Sequence, residues 1–251
     1  MARDMTANRH ILLLAGAGEG RDIAERLQGD ARFRVTASEH VPDRTHGPLP
    51  VSGRTGGFGG AQGFQDYLES ANIDAVVDAT HPFAHRMSAR TAALCAQSGI
   101  AYLQVLRAPW VPGPGEVWTE VADEAAAAAL IRPGERVFTT TGRAALGGFA
   151  RLAPDCLCVR QIRPGQLPQG FEGAHQICDS GPFSVEDELE TFRRLSIDVL
   201  VARNTGGEVS RTKLDAARIL GLRVILIARP PLLEVARVGT SDAAMKWLEM
   251  L

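Results

Sequence analysis

The chain is nearly devoid of lysine, sparing with cysteine and free of any long apolar run. Of its 27 basic residues only Lys213 and Lys246 are lysines, so almost every positive charge is a planar guanidinium suited to gripping carboxylate or phosphate through paired hydrogen bonds. Cys95, Cys156, Cys158 and Cys178 are too sparse for a disulfide framework, and Cys156-x-Cys158 sets both thiols on one strand face rather than in a metal-binding C-x-x-C. All four are expected to be buried, reduced thiols. No segment approaches the ~20 apolar residues a membrane-spanning helix needs. The apolar ILLLAGAG opening is short and is followed at once by Glu19, Arg21 and Asp22, so it reads as a buried strand rather than a secretory signal. A net charge of −2 gives no reason to expect a nucleic-acid surface. The expected location is cytoplasmic, with neither membrane nor nucleic acid as a partner.

What is present is an ordinary globular composition, 45% hydrophobic and 22% charged in 251 residues, enough to bury a full core. Apolar runs alternate with helical patterns: ILLLAG, a helix at about 20 to 28, FRVTAS, a helix near 61 to 70, DAVVDAT, a helix at 82 to 98, then AYLQVL. Continuous apolar strands separated by helices are the grammar of a parallel sheet buried on both faces. The second half repeats the pattern. IDAVVDAT resembles IDVLVARN with Ile73 and Ile197 set 124 positions apart, the same offset that separates Gly18 from Gly142. LQVLRAP is answered by LIARPP, and each half ends in a short strand and a terminal helix. The expected fold is α/β: two Rossmann-like parallel-sheet units, residues 1–131 and 132–251, related by internal duplication and meeting at a cleft. Ligands in such sheets sit beyond the carboxyl ends of the strands, which directs attention to the loops there.

The first of these loops is AGAGEGR. Gly16 and Gly18 allow a tight turn and close approach to a pyrophosphate at a helix N-terminus, but G-x-G-x-x-G requires a third glycine where Arg21 stands. The loop is therefore either a dinucleotide turn or only a turn. After the second strand, Ser38 replaces the acid that would take the ribose hydroxyls of NAD, and Arg44 and Arg54 are near enough in sequence to receive the extra phosphate of NADP. SGRTGGFGG, residues 52 to 60, reads as a flexible connection or a mobile loop. In DATHPFAHR, Pro82 suits a first helical position with Thr80 or His81 as the cap. His81 and His85 have the spacing of a zinc helix without its glutamate or a third ligand, so no metal is expected. His81 is either a structural cap or a substrate-facing group. In the second half, Thr141, Gly142 and Arg143 combine a hydroxyl, a backbone amide and a guanidinium, and Asn204, Thr205, Gly206, Gly207 and Lys213 form another polar loop leading into a helix.

Glu19 and Arg21 of the first turn, DATHPFA, TGR at 141 to 143, the Asn-Thr-Gly-Gly loop with downstream Lys213, and Arg229-Pro230 together make the chain resemble the precorrin-6A reductases of cobalamin biosynthesis. The likeness runs over nearly the whole chain, although Gly18 stands where the family often has threonine. It implies an oxidoreductase that uses NADPH to reduce one carbon–carbon double bond of an anionic tetrapyrrole, giving precorrin-6B, with transient contact to neighbouring enzymes of the pathway. On that reading Gly16, Gly18, Glu19, Arg21, Ser38, Arg54 and Thr80 form the cofactor-binding set. Pro82, Phe83, Thr141, Gly142, Arg143, Asn204, Thr205, Gly206, Gly207, Lys213 and Arg229 face the substrate, and His81 is the candidate acid. The alternatives are a nucleotide-binding sensor without catalysis and a nucleotide-dependent group-transfer enzyme.

Overall fold

The structure, a computed structural model, describes residues 8–40, 47–162, 164–179 and 181–251. The chain forms two compact units, one comprising Met1–Arg107 with Pro230–Leu251 and the other Ala108–Arg229. The first contains β1 (Arg9–Ala15), α1 (Gly18–Leu27), β2 (Phe33–Glu39), β3 (Ser52–Thr55), α2 (Gly60–Ser70), β4 (Ala75–Ala79), α3 (His85–Ser98) and β5 (Ala101–Val105). The second contains β6 (Trp118–Val121), α4 (Glu124–Ala129), β7 (Val137–Thr139), β8 (Leu157–Gln161), β9 (His175–Cys178), α5 (Val185–Arg194), β10 (Val199–Arg203), α6 (Thr212–Leu220) and β11 (Arg223–Ile227). The chain then returns to the first unit with β12 (Arg237–Val238) and α7 (Ser241–Glu249).

Each unit is built on a six-stranded sheet, ordered β12-β5-β4-β1-β2-β3 in the first and β6-β11-β10-β7-β8-β9 in the second. All strand pairs in both are parallel. Read from β3, the first sheet has the doubly wound order 3-2-1-4-5-6, except that its sixth strand is β12 from the far end of the chain. The second sheet is completed by β6 from the first half. The repeat and the folded units therefore divide the chain differently. The terminal strand–helix pair of each half joins the sheet of the other, so the compact units are not residues 1–131 and 132–251. The echo itself is visible in geometry: Asn72 and Ser196, 124 positions apart, both adopt φ 51°. Two residues beyond each, Asp74 and Asp198 accept the backbone N–H of His10 and Arg136, both at 2.8 Å.

Alternation along β1 explains its unbroken apolar run. Ile11 and Leu13 pack on one face with Ile23, Leu27, Ala244 and Leu248, whereas Leu12 and Leu14 pack on the other with Phe64, Leu68, Leu94 and Cys95. In the second sheet Phe138, Leu200, Ala202 and Leu226 bury against Phe192 of α5 and Leu214 and Ala217 of α6. α5 begins with a capping box in which Ser184 and Asp187 satisfy each other's backbone N–H.

Several sequence expectations change. Ser52–Thr55, expected to lie in a flexible connection, forms edge strand β3, with Ser38 in register with Arg54. The helix expected from residue 82 begins at His85. The second-half counterpart of α1 is a 3₁₀ segment, Arg143–Phe149. Cys156 lies in a 3₁₀ turn before β8, so it does not share a strand face with Cys158. Cys178 is exposed, and only Cys95 and Cys158 are fully buried. Arg44 lies outside the described residues. No described helix is long and apolar enough to cross a membrane.

Candidate functional site

In the first unit the strand order reverses between β1 and β4, and the glycine turn and the DATHPFA segment lie side by side there. The N–H of Gly16 donates to the Ala79 carbonyl at 3.1 Å, and a Cβ on Gly16 would stand only 3.2 Å from the backbone nitrogen of His81. Gly18 opens α1, and nothing lies within 4 Å of where its Cβ would be, leaving room for a ligand at the helix N-terminus. Close packing of helix on strand, the third glycine's task in the fingerprint, falls to Gly20 instead of position 21. A Cβ there would meet Ala15 at 3.1 Å. Arg21 is thereby released from the turn, and its Nη2 donates to the Gly47 carbonyl at 2.6 Å.

Glu19, in the first turn of α1, pairs at 2.7 Å with Arg107, which follows β5. Sequence reasoning passed over Arg107, although its LRAP context is one of the repeated landmarks. Ser38 is buried near the end of β2 and accepts from Nη1 of Arg54 at 2.9 Å. The same guanidinium donates to the carbonyls of Gly56 and Gly57 and lies 3.8 Å from the centre of the Phe58 ring. The sequence pairing of Ser38 with Arg54 is thus a direct contact at the ends of adjacent strands.

His81 to Ala84 make a turn closed by the Ala84 N–H donating to the His81 carbonyl at 2.7 Å, with Pro82 and Phe83 at its centre. Proline suits the second position of such a turn, which is why the proline does not start the helix. The N-cap of α3 is Ala84, so neither Thr80 nor His81 caps it. His81 is exposed, and its Nδ1 accepts the Phe83 N–H at 3.2 Å. A nitrogen that accepts carries no proton, so in the neutral ring the proton resides on Nε2.

The second unit has its own reversal between β7 and β10. Thr141 is buried, and its hydroxyl is 3.0 Å from that of Thr139. Gly142 adopts φ 86° at the entry to the 3₁₀ segment. Arg143 is oriented by Gln161, its Nε donating to Oε1 at 2.7 Å. The Asn204 loop is tightly braced. The Asn204 amide clasps the backbone of Trp110 through both its oxygen and its nitrogen, at 2.8 and 3.0 Å, and the Trp110 indole donates to the Gly207 carbonyl at 2.8 Å. Arg229 donates to the carbonyls of Asn204 and Thr205 at 2.8 and 2.7 Å. Asn204, Gly207 and Arg229 therefore shape this loop. Gly206 must be glycine: its φ is +68°, and a Cβ would lie 2.0 Å from the Ala108 carbonyl oxygen.

Lys213, on the first turn of α6, donates to the Ser210 carbonyl and lies 5.4 Å from the centre of the Trp110 ring. Burial pushes its ammonium down to about 8, with the Glu188 charge acting upward and that of Arg160 downward. The group is cationic below that pH and neutral above it. Binding of an anionic ligand through Lys213 is therefore expected to weaken as pH rises past about 8, a dependence that titration calorimetry at several pH values would register and Lys213→Arg would abolish.

The chain as a whole is similar to known proteins. The family model described as "Precorrin-6x reductase CbiJ/CobK" matches residues 10–249. The chain is 39% identical over 241 residues to a precorrin-6A reductase of Rhodobacter capsulatus, covering 95% of each chain. It is 40% identical over 243 residues to one of Mycobacterium tuberculosis, covering 95% of this chain and 96% of that one. A solved structure titled "CobK precorrin-6A reductase" superposes with a TM-score of 0.87 at 37% identity, covering 97% of both chains.

Proposed function

Because the chain belongs to the precorrin-6x reductase CbiJ/CobK family, we propose that it reduces one carbon–carbon double bond of metal-free precorrin-6A with NADPH, giving precorrin-6B. The observation that carries this reading is the juxtaposition of the glycine turn and DATHPFA where the strand order reverses in the first sheet, the place where doubly wound sheets receive a dinucleotide. The names of the relatives at 39 and 40% identity support the metal-free substrate. When bound, the cofactor supplies the hydride.

The residues of the first unit suit that cofactor. Close backbone approach at Gly16, the amide at Gly18 and the N-terminus of α1 suit pyrophosphate charge. Arg54, braced by Ser38, supplies a guanidinium where the 2′-phosphate of NADPH would be read. His81, in the same unit, is the candidate donor of a proton that makes a conjugated imine a better hydride acceptor; Arg143 and Lys213, in the second unit, are cations of the kind that hold carboxylates.

Mixing the protein with NADPH and precorrin-6A and following nicotinamide absorbance tests the reaction. Loss of absorbance that depends on substrate is expected. Cofactor binding without it would identify a nucleotide sensor instead, and faster turnover of the cobalt-containing substrate would overturn the metal-free assignment. NADPH is expected to give a higher kcat/KM than NADH, and Ser38→Asp to shift preference toward NADH, because a carboxylate there repels the extra phosphate and accepts from ribose hydroxyls. Equal kcat/KM for the two cofactors in the wild type would refute the Ser38–Arg54 assignment.

A further inference from the structure

The glycine-rich stretch SGRTGGFGG folds around one side chain, that of Arg54 on edge strand β3. Its Nη1 donates to Ser38 Oγ at 2.9 Å and to the Gly56 carbonyl at 3.0 Å, and its Nη2 to the Gly57 carbonyl at 2.8 Å. The guanidinium carbon lies 3.8 Å from the centre of the Phe58 ring and 5.4 Å from that of Tyr67. Phe58 is in turn set edge-on against Phe64 and Tyr67 of α2, with ring centres 4.6 and 5.2 Å away. The backbone is held just as closely. A Cβ on Gly63 would lie 1.9 Å from the Phe58 carbonyl oxygen, so only glycine lets the first turn of α2 pack against this loop.

A guanidinium carries five N–H groups in one plane. Three are engaged by Ser38, Gly56 and Gly57, whereas the Nε–H and the second Nη2–H meet no acceptor among the described residues. Those two donors sit on neighbouring nitrogens, the arrangement that receives two oxygens of one phosphate. All three partners are neutral oxygens, so the bracket aims the guanidinium without cancelling its charge. Arg107, Arg160, Arg203 and Arg211, by contrast, each pair with a glutamate. The place also fits a phosphate carried on a ribose. Ser38 and Arg54 are in register near the ends of β2 and β3, and the end of the second strand is where doubly wound sheets read the ribose 2′ position.

We propose that Phe58, backed by Phe64 and Tyr67, is a positioning residue for cofactor specificity: it holds Arg54 so that the Nε and Nη2 donors are presented together to a ribose 2′-phosphate. This rests on the cofactor reading of the first unit and adds the residues that make Arg54 a rigid reader. Rigidity matters because a long side chain free to rotate gives up that freedom on binding, which offsets part of the gain. Phe58→Leu is the informative change. Phe58 is only partly buried, and leucine keeps apolar cover over α2 while removing the aromatic face from the guanidinium.

The experiment measures dissociation constants of 2′-phospho-ADP-ribose and of ADP-ribose for wild type, Phe58→Leu, Phe58→Tyr and Arg54→Lys. The wild type is expected to bind the phosphorylated ligand more tightly. Phe58→Leu is expected to weaken that ligand by roughly 2- to 5-fold, the range for loss of a partly exposed cation–π contact, with ADP-ribose affinity unchanged and Phe58→Tyr close to wild type. Arg54→Lys keeps the charge but not the fork, so it should lose more of the discrimination than Phe58→Leu, and it tests the fork without disturbing the aromatic packing. A merely structural Phe58 would lower the melting temperature of Phe58→Leu and weaken both ligands alike, which overturns the proposal. Discrimination that is unchanged in Phe58→Leu or in Arg54→Lys overturns it as well, while leaving the cofactor reading standing. A wild type that binds the two ligands equally overturns the Ser38–Arg54 reading and this proposal together.

Discussion

Replacing His81 by alanine is expected to lower kcat by roughly 10²- to 10⁴-fold, the range for loss of a positioned general acid, while leaving NADPH affinity nearly intact. The imidazole is exposed at the carboxyl edge of the first sheet, and the Phe83 N–H on Nδ1 places its proton on Nε2. That hydrogen bond fixes the tautomer of the neutral ring. The competing role of helix cap is removed by the structure, because α3 starts at His85 with Ala84 as its N-cap. His81→Ala also removes the hydrogen bond that Nδ1 accepts from the Phe83 N–H, about 0.5–1.5 kcal/mol. Stability and turnover measured on the same variant therefore separate the two contributions. A variant that turns over at the wild-type rate would leave His81 as a turn-forming residue and pass the proton-donor role to solvent or to a substrate carboxyl.

The second large effect is expected in the second unit, where Glu188→Ala should cost about 3–5 kcal/mol of stability by leaving a buried arginine without its counter-ion. Arg160 and Glu188 pair at 2.7 Å with side chains only 7% and 1% exposed. The guanidinium also lies 4.0 Å from the centre of the Phe183 ring and 4.8 Å from that of Phe138. Among the described residues, Arg160 Nε and Glu188 Oε2 have no hydrogen-bond partner. So incompletely satisfied a pair contributes little net stability, yet breaking it strands a charge in an apolar setting. Replacing both members by apolar residues of similar volume, Arg160→Met with Glu188→Leu, should therefore recover most of the loss. Urea unfolding of the single and double variants measures this, and a single-variant loss below about 1 kcal/mol would mean that the stranded charge is adequately solvated. A linked effect is expected at Lys213. Because the Glu188 charge acts to raise that ammonium, Glu188→Ala should move the weakening of anion binding to lower pH.

Much of the fold is legible because the two strand faces of a doubly covered sheet demand unbroken apolar runs. ILLLAG, DAVVDAT and AYLQVL carry that signal and become β1, β4 and β5. Strand β3 carries no such signal: it is a four-residue edge, SGRT, with one face of its hydrogen bonding supplied by β2 alone. The helix start in DATHPFA is misread from sequence because proline is equally at home in a first helical turn and at the second position of a β-turn; here the Ala84 N–H closes on the His81 carbonyl and makes the turn. Asp78 offered a readable cue, a carboxylate inside an apolar strand. Its partner Tyr102 did not, since it lies 24 residues away and meets it only through the packing of β5 against β4.

By itself the sequence determined the central apolar strands and the helices between them, the 124-residue echo, the parallel α/β class and the resemblance to its family, all of which rest on local periodicity or on residues close together in the chain. Only the tertiary structure decided which strands pair. The exchange of β6–α4 and β12–α7 between the sheets is invisible to periodicity, because either edge offers a short strand the same hydrogen bonds and the same apolar cover. It likewise decided the work of individual residues: Gly20 rather than position 21 closes helix on strand, Arg229 braces carbonyls, and the Tyr102 hydroxyl satisfies buried Asp78. Side-chain hydrogen bonds are short-ranged and directional, and their partners are set by which distant segments the packed core brings within about 3 Å of one another.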